Sequence, residues 1–199
     1  MPAAESCRLY LVSPPRIDRP TLFADEMRAA FAGGDVAAFL LGLAEADDAA
    51  IARTADTLRP ICQQRGVAFM LADRPDLALK LDADGVQVRV EAYAEARRIV
   101  GRERQVGVAC PASRHLAMEA ADAGADYVAF DAADLETIEW WSGLFEIPCV
   151  ATGGITPDNA RSLVAAGADF LAVGSGIWNH KDGPEAAVRA FNTLLAAPS

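Results

Sequence analysis

The segment Ala123–Gly124–Ala125–Asp126–Tyr127–Val128–Ala129–Phe130 decides how the chain is read. Its glycine suits the left-handed backbone that closes a helix without steric cost, its Ala-Asp pair makes a tight connection, and its apolar run is a short strand. The same grammar recurs in Lys80–Leu81–Asp82–Ala83–Asp84–Gly85–Val86–Gln87–Val88 and in Ala166–Gly167–Ala168–Asp169–Phe170–Leu171–Ala172–Val173, at intervals of about 42 residues. That interval is roughly two strand–helix units, so the architecture repeats.

Working outward, the apolar runs give eight strands: Leu9–Val12, Val36–Leu41, Ala68–Leu71, Gly85–Val88, Gln105–Ala109, Tyr127–Phe130, Cys149–Ala151 and Phe170–Val173. Apolar residues at three- and four-residue spacing mark helices between them, most clearly over Asp47–Arg65, Arg114–Ala123, Asn159–Ala166 and Glu185–Leu195. The strands are near-continuous apolar runs, as parallel strands covered on both faces require. The expectation is an α/β fold, a single (β/α)8 TIM barrel occupying residues 1–199 as one domain, with eight strands and eight helices. A doubly wound open sheet is the alternative. No Gly-x-Gly-x-x-Gly turn follows the first strand, and regular units of this number close naturally into a barrel.

Of 199 residues, 52% are hydrophobic and 23% charged, with a net charge of −10. That balance suits a packed globular chain and excludes the basic surfaces that bind nucleic acid or anionic membranes. Cys7, Cys62, Cys110 and Cys149 are too widely spaced for a zinc site or a disulfide framework and read as reduced thiols. No run reaches the about 18 apolar residues of a membrane span, and Met1–Pro2–Ala3–Ala4–Glu5 lacks a signal peptide's basic and apolar regions. The expected location is the cytoplasm, with no membrane or nucleic-acid partner.

In a barrel of this kind, chemistry belongs to the loops that follow the strands. The strongest signal is Ala151–Thr152–Gly153–Gly154–Ile155–Thr156–Pro157 followed by Val173–Gly174–Ser175–Gly176–Ile177. Loops after strands seven and eight present main-chain N–H groups to phosphate, and paired glycines allow close approach, so Gly153, Gly154, Gly174 and Ser175 are the candidate phosphate ligands. The competing reading is that the glycines only make tight turns. Thr156 as N-cap and Pro157 at the first helical position mark a helix start just beyond.

After strand three, Asp73 either holds Mg²⁺ together with substrate phosphate or caps the following helix. Arg74, Arg89 and Trp178 are candidate ligand contacts, Trp178 as a wall of the phosphate site. Glu91, Asp131 and Asp134 read as solvated rim charges, Cys110 as an inert thiol, and His115 and His180 lack an evident partner for general-base work. Trp140–Trp141 covers either core or a homo-oligomer contact.

These residues, in this order, resemble the thiamine phosphate synthase/TenI superfamily over nearly the whole chain. The specific matches are Asp73–Arg74–Pro75–Asp76–Leu77–Ala78, Ala83–Asp84–Gly85–Val86, Gly124–Ala125–Asp126–Tyr127 and Ile147–Pro148–Cys149–Val150–Ala151–Thr152–Gly153–Gly154–Ile155–Thr156. The resemblance implies joining of a hydroxymethylpyrimidine diphosphate to a thiazole phosphate, with Mg²⁺ and basic residues stabilising the departing diphosphate.

The chain departs from that pattern where the diphosphate should be clamped. The family's Gln-Leu-Arg-x-Lys becomes Phe39–Leu40–Leu41–Gly42–Leu43, its Asn-Asp becomes Ala72–Asp73, and its Gly-Val-His-Leu-Gly-Gln-Glu-Asp becomes Gly85–Val86–Gln87–Val88–Arg89–Val90–Glu91–Ala92. The Thr-x-Thr-Lys loop after strand six has no counterpart in Asp131–Ala132–Ala133–Asp134–Leu135, and Gly-x-Ser at strand five becomes Gly107–Val108–Ala109.

The resemblance therefore implies a barrel that binds a phosphorylated, thiazole-phosphate-like molecule, with the diphosphate clamp largely lost and Mg²⁺ held weakly by Asp73. Two alternatives stand beside it. One is an active divergent synthase in which Arg16, Arg74 or Arg89 replaces the missing cations; the other is a non-catalytic phosphometabolite sensor or assembly partner.

Overall fold

The computed structural model describes residues 7–196; the Met1–Glu5 segment lies outside them. Eight parallel strands close into a barrel in sequence order. They are β1 (Arg8–Val12), β2 (Ala38–Leu41), β3 (Ala68–Ala72), β4 (Gly85–Arg89), β5 (Gln105–Ala109), β6 (Tyr127–Asp131), β7 (Cys149–Thr152) and β8 (Phe170–Val173), with β8 pairing back onto β1. The helices are α1 (Pro20–Ala32), α2 (Asp48–Arg65), α3 (Pro75–Lys80), α4 (Tyr93–Val100), α5 (Arg114–Asp122), α6 (Leu135–Ser142), α7 (Pro157–Ala165), α8 (Ser175–Trp178) and α9 (Gly183–Leu195), and a 3-10 turn, Val90–Ala92, precedes α4. The closed (β/α)8 barrel is the expected fold.

The recurrent Ala-Asp segment has a physical role at the barrel floor. Asp84, at the entry to β4, accepts the Phe69 amide of β3 at 2.7 Å. Asp126, before β6, accepts the Val106 amide of β5 at 2.6 Å, and Asp169, before β8, accepts the Cys149 amide of β7 at 2.8 Å. Each of these aspartates also donates its own amide to the facing strand: Asp84 to the Phe69 carbonyl, Asp126 to Val106 and Asp169 to Cys149. The result is a two-point staple that sets the register of β4, β6 and β8, each on the odd strand before it. Gly124 and Gly167, at φ +92° and +91°, supply the left-handed turn that delivers the second and third aspartates.

The first strand pair is built differently. Asp35, three residues before β2, holds Arg8 of β1 at 2.7 Å, and this guanidinium keeps the Asp35 carboxyl below its ordinary range. Strand β2 starts at Ala38 rather than Val36, because the Gly33–Gly34–Asp35 turn occupies the approach. Helix α2 starts at Asp48, since Asp47 is its N-cap and accepts the Ala50 amide at 2.7 Å. The additional helix, α8, is a single turn straight after β8 that apolar periodicity could not reveal in four residues.

Side chains sort into two layers by strand parity. Leu9, Leu11, Phe39, Leu41, Phe69, Leu71, Val86, Val88, Val106 and Val108 pack outward under the helices. Tyr10, Leu40, Met70, Tyr127, Ala129, Val150 and Ala172 fill the barrel interior. Gly107 is required there: a Cβ on it would lie 1.9 Å from the Tyr127 ring.

Asp84→Ala strands the Phe69 amide and is expected to cost about 1–3 kcal/mol in urea unfolding, with Asp84→Asn costing less because it keeps an acceptor. An Asp84→Ala protein as stable as the parent would show that the staple does not hold the register.

Candidate functional site

The loops after β7 and β8 face each other across the C-terminal rim of the barrel and enclose a recess of about 240 Å³ lined by Val12, Thr152, Gly153, Gly154, Ile155, Ala172, Gly174 and Ser175. The four residues singled out from sequence, Gly153, Gly154, Gly174 and Ser175, thus come together in one place.

Local chemistry explains the shape of this cup. Gly153 and Gly154 sit at φ +90° and +59°, a pair of conformations that side-chain-bearing residues resist. The turn is braced by Asn159, whose Oδ1 accepts the Thr156 amide at 2.9 Å while its Nδ2 donates to the Gly154 carbonyl at 3.0 Å. With that carbonyl tied back, the Gly153, Gly154 and Ile155 amides are taken by no acceptor among the described residues. Helix α8 returns the amides of Ile177 and Trp178 to the Gly174 carbonyl, so those of Ser175 and Gly176 stay outside the helix ladder. Two loops therefore offer uncommitted N–H groups to one recess, the arrangement that binds an oxyanion.

Asn159 was missed in the sequence reading, although the Thr156-x-x-Asn159 spacing of a capping box was there to find it.

Trp178 is not a wall of this cup. Its Nε1 donates to the Val12 carbonyl at 2.6 Å, and its ring packs 4.7 Å from Phe23, so it props the end of β1 from beneath.

A second recess, of about 340 Å³, opens at the rim between β2 and β3 and is bounded by Gly42, Leu43, Ala44, Ala72, Asp73 and Arg74, among others. The family pattern laid on Phe39–Leu43 puts its arginine and lysine at Leu41 and Leu43, and that register needs correcting here. Leu41 belongs to the outer core and Leu43 packs against it, whereas Leu40 lies inside the barrel, so Leu40 and Gly42 are the inward positions. Gly42 is tied to β1, its amide donating to Ser13 Oγ at 3.0 Å.

Asp73 stands at this recess with φ +56° and an exposed side chain that accepts no hydrogen bond among the described residues. It does not cap α3, whose N-cap is Arg74. Arg74 is bound by Asp48 at 2.5 Å and Asp76 at 3.1 Å, hydrogen bonds that raise its pKa and depress those of both aspartates. Its charge is thereby neutralised locally. Arg16 pairs with Asp18 at 2.6 Å in solvent. Arg89 ends β4, exposed, with no ion pair among the described residues.

The remaining candidates are structural. Asp131 accepts the Ala133 amide at 2.8 Å and Asp134 N-caps α6 through Thr137 at 3.1 Å. His115 lies 3.4 Å from Glu119 on the exposed face of α5, and His180 accepts the Asp182 amide at 3.2 Å. Burial, with a contribution from Glu91, pushes the Cys110 thiol up to about 11, so it is an unreactive core group. Trp141 is fully buried, its Nε1 donating to the Ile147 carbonyl at 2.8 Å. No group of three His, Cys, Asp or Glu side chains forms a metal set among the described residues, and no helix there is long and apolar enough to cross a membrane.

Comparison with known proteins adds a family. The profile described as thiamine monophosphate synthase matches residues 9–177. The thiamine-phosphate synthase of Rhodospirillum centenum is 52% identical over 95% of this chain and 98% of its own length. That of Erythrobacter litoralis is 47% identical over 96% of each. Among solved structures, thiamine phosphate pyrophosphorylase from Pyrococcus furiosus superposes with a TM-score of 0.84 at 27% identity, covering 96% of both chains.

Gly154→Val forces a branched side chain onto φ +59° and should distort the cup without a steric clash, since nothing lies within 4 Å of the added Cβ. Calorimetry is expected to show at least about a tenfold loss in affinity for inorganic phosphate or a thiazole phosphate, about 1.4 kcal/mol. Equal affinity for parent and variant would place the anion elsewhere.

Proposed function

The chain belongs to the thiamine monophosphate synthase family, and from that membership we propose that it seats a thiazole phosphate in the β7–β8 cup and joins it to a hydroxymethylpyrimidine released from its diphosphate. The observation that carries the reading is the depth of the likeness, 52% identity along 95% of the chain to a thiamine-phosphate synthase. The retained cup supports it: Gly153, Gly154 and Ser175 offer the amides that a phosphomonoester needs. The recess at β2 and β3 would take the pyrimidine part, between the apolar Leu43, Ala44, Ile51 and Ala72 and the charged Asp73 and Arg74 of its lining.

Mg²⁺ fits this scheme only in cooperation with substrate. Asp73 presents a carboxylate that accepts no hydrogen bond among the described residues, beside the second recess, and Mg²⁺ keeps its waters unless phosphate oxygens complete its shell. Bound there, the ion would neutralise charge on the leaving diphosphate.

A second reading, binding of a phosphorylated molecule without transfer, is favoured by one observation. The inner face of β2 offers Leu40 and Gly42 where the family's clamp is cationic. A developing polyanion gains nothing from those side chains.

One assay separates the two. Incubation with hydroxymethylpyrimidine diphosphate, thiazole phosphate and Mg²⁺ is expected to yield thiamine phosphate, and Asp73→Asn should lower the rate at least about tenfold, equivalent to about 1.4 kcal/mol of transition-state stabilisation. Absence of product from a protein that still binds thiazole phosphate would establish binding without transfer. Mg²⁺ alone, titrated calorimetrically, is expected to bind only weakly; tight uptake dependent on Asp73 would mean a carboxylate partner completes the site without substrate.

A further inference from the structure

The Ser175 amide of the cup is uncommitted because a side chain has taken the acceptor that strand geometry assigns to it. Arg8 opens the ladder between β1 and β8 by donating to the Asp169 carbonyl, and the register then sets Tyr10 beside Ala172 and Leu11 beside Val173. A parallel ladder uses the main-chain groups of every second residue, so Arg8, Tyr10 and Val12 are the β1 residues that bond toward β8. Carried one step past the end of β8, the series would put the Ser175 amide on the Val12 carbonyl. That carbonyl instead accepts the indole Nε1 of Trp178 at 2.6 Å.

The exchange depends on where α8 sits. The chain leaves extended backbone at Gly174, φ −110° and ψ −88°, and the single turn that follows is held from two sides. Toward β7, Gly176 packs so closely that a Cβ on it would lie 2.9 Å from the Ile155 carbonyl oxygen. Toward β1, the Trp178 ring beds with its centroid 4.7 Å from that of Phe23 and 6.4 Å from that of Phe39, which aims its N–H at Val12. An indole has one donor and no acceptor, so this bond satisfies it completely. Val12 and Ser175 line the same recess, and a Cβ on Gly174 would lie 3.4 Å from the Val12 carbonyl oxygen. The β8 loop is therefore already against the carbonyl that its amide does not use.

We propose that Trp178 is a positioning residue of the phosphate cup: by occupying the Val12 carbonyl and fixing the α8 turn, it keeps the Ser175 amide from closing onto β1 and reserves that amide for an oxyanion. Trp178 touches no ligand and acts through Ser175. Without the indole N–H, the half-buried Val12 carbonyl is left unpaired, and the next donor in the ladder, the Ser175 amide, satisfies it at the expense of the cup. An amide held ready in this way binds with little reorganisation. The proposal rests on the reading that the β7 and β8 loops bind phosphate, and adds to it the residue that keeps the β8 half open.

The test is hydrogen exchange followed by NMR on the full-length protein, with inorganic phosphate as the ligand. In the parent, the Trp178 indole N–H is expected to exchange at least about tenfold more slowly than that of half-buried Trp140, which has no acceptor among the described residues, and the Ser175 amide to slow only when phosphate is added. Trp178→Phe keeps a ring in the bed and removes the donor. In that variant the Ser175 amide should slow at least about tenfold without phosphate, and calorimetry should show phosphate bound at least about tenfold more weakly. A tryptophan that served stability alone would leave Ser175 exchange unchanged or faster; that result, or phosphate affinity equal to the parent's, overturns the proposal. Where Trp178→Phe does not fold, the parent decides, since a Trp178 indole exchanging as fast as that of Trp140, or a Ser175 amide protected without phosphate, overturns it equally. Failure of the cup reads differently, as phosphate binding undiminished in Gly154→Val, and exchange at Ser175 in the ligand-free proteins still decides the role of Trp178.

Discussion

The barrel depends on three aspartates at its floor. Asp84, Asp126 and Asp169 each place a carboxylate oxygen on the amide of a residue at the start of the preceding strand, Phe69, Val106 or Cys149, while their own amides donate to the carbonyl of that same residue. A parallel pair of four- or five-residue strands has few ladder bonds with which to resist a slip of register. A one-residue slip would exchange inner and outer side chains along the whole strand. The staple removes that freedom at the cost of one polar residue per pair, and a staple at the floor fixes what happens at the rim. The Asp169 bond that sets β8 on β7 is what brings Gly174 and Ser175 level with Gly153 and Gly154.

The two ends of the barrel thus carry different physics. At the floor, bonds are satisfied and charges are paired, as with Arg97, which reaches Asp126 at 2.5 Å. At the rim, amides of the cup, the Asp73 carboxylate and the Arg89 guanidinium are left without partners among the described residues. Unpaired polar groups are tolerated where water reaches them, and they are the groups a ligand can use. Most inward positions nearest the mouth are also small, including Gly42, Ala72, Ala109 and Gly174, so the polar groups surround open space.

A chain of net charge −10 repels anions at long range, yet the proposed ligands are anions. The conflict is one of distance. Screening at physiological salt confines the field of surface carboxylates to about 8 Å, while amide dipoles act in direct contact. A site made chiefly of main-chain N–H groups suits such a protein, because it binds phosphate without a cluster of cations that neighbouring acids would capture. Arg74, held by Asp48 and Asp76, shows that capture taking place.

The sequence by itself determined the strand–helix repeat, the closed barrel and the β7–β8 glycine cup. Those features are carried by local signals: glycine at left-handed turns, apolar runs of strand length, and Thr156–Pro157 at a helix start. Tertiary structure alone decided which side of each strand faces inward. A run such as Phe39–Leu40–Leu41 is apolar on both faces, so composition gives no parity, and the inward residue proved to be Leu40 rather than Leu41. For the same reason the link from Tyr10 through Tyr127 to Gln87 joins residues 117 and 40 positions apart in the chain, beyond any local pattern. Trp178 turned beneath the cup because an indole needs both an apolar bed and an acceptor, and Phe23 and the Val12 carbonyl provide them only once the barrel has closed.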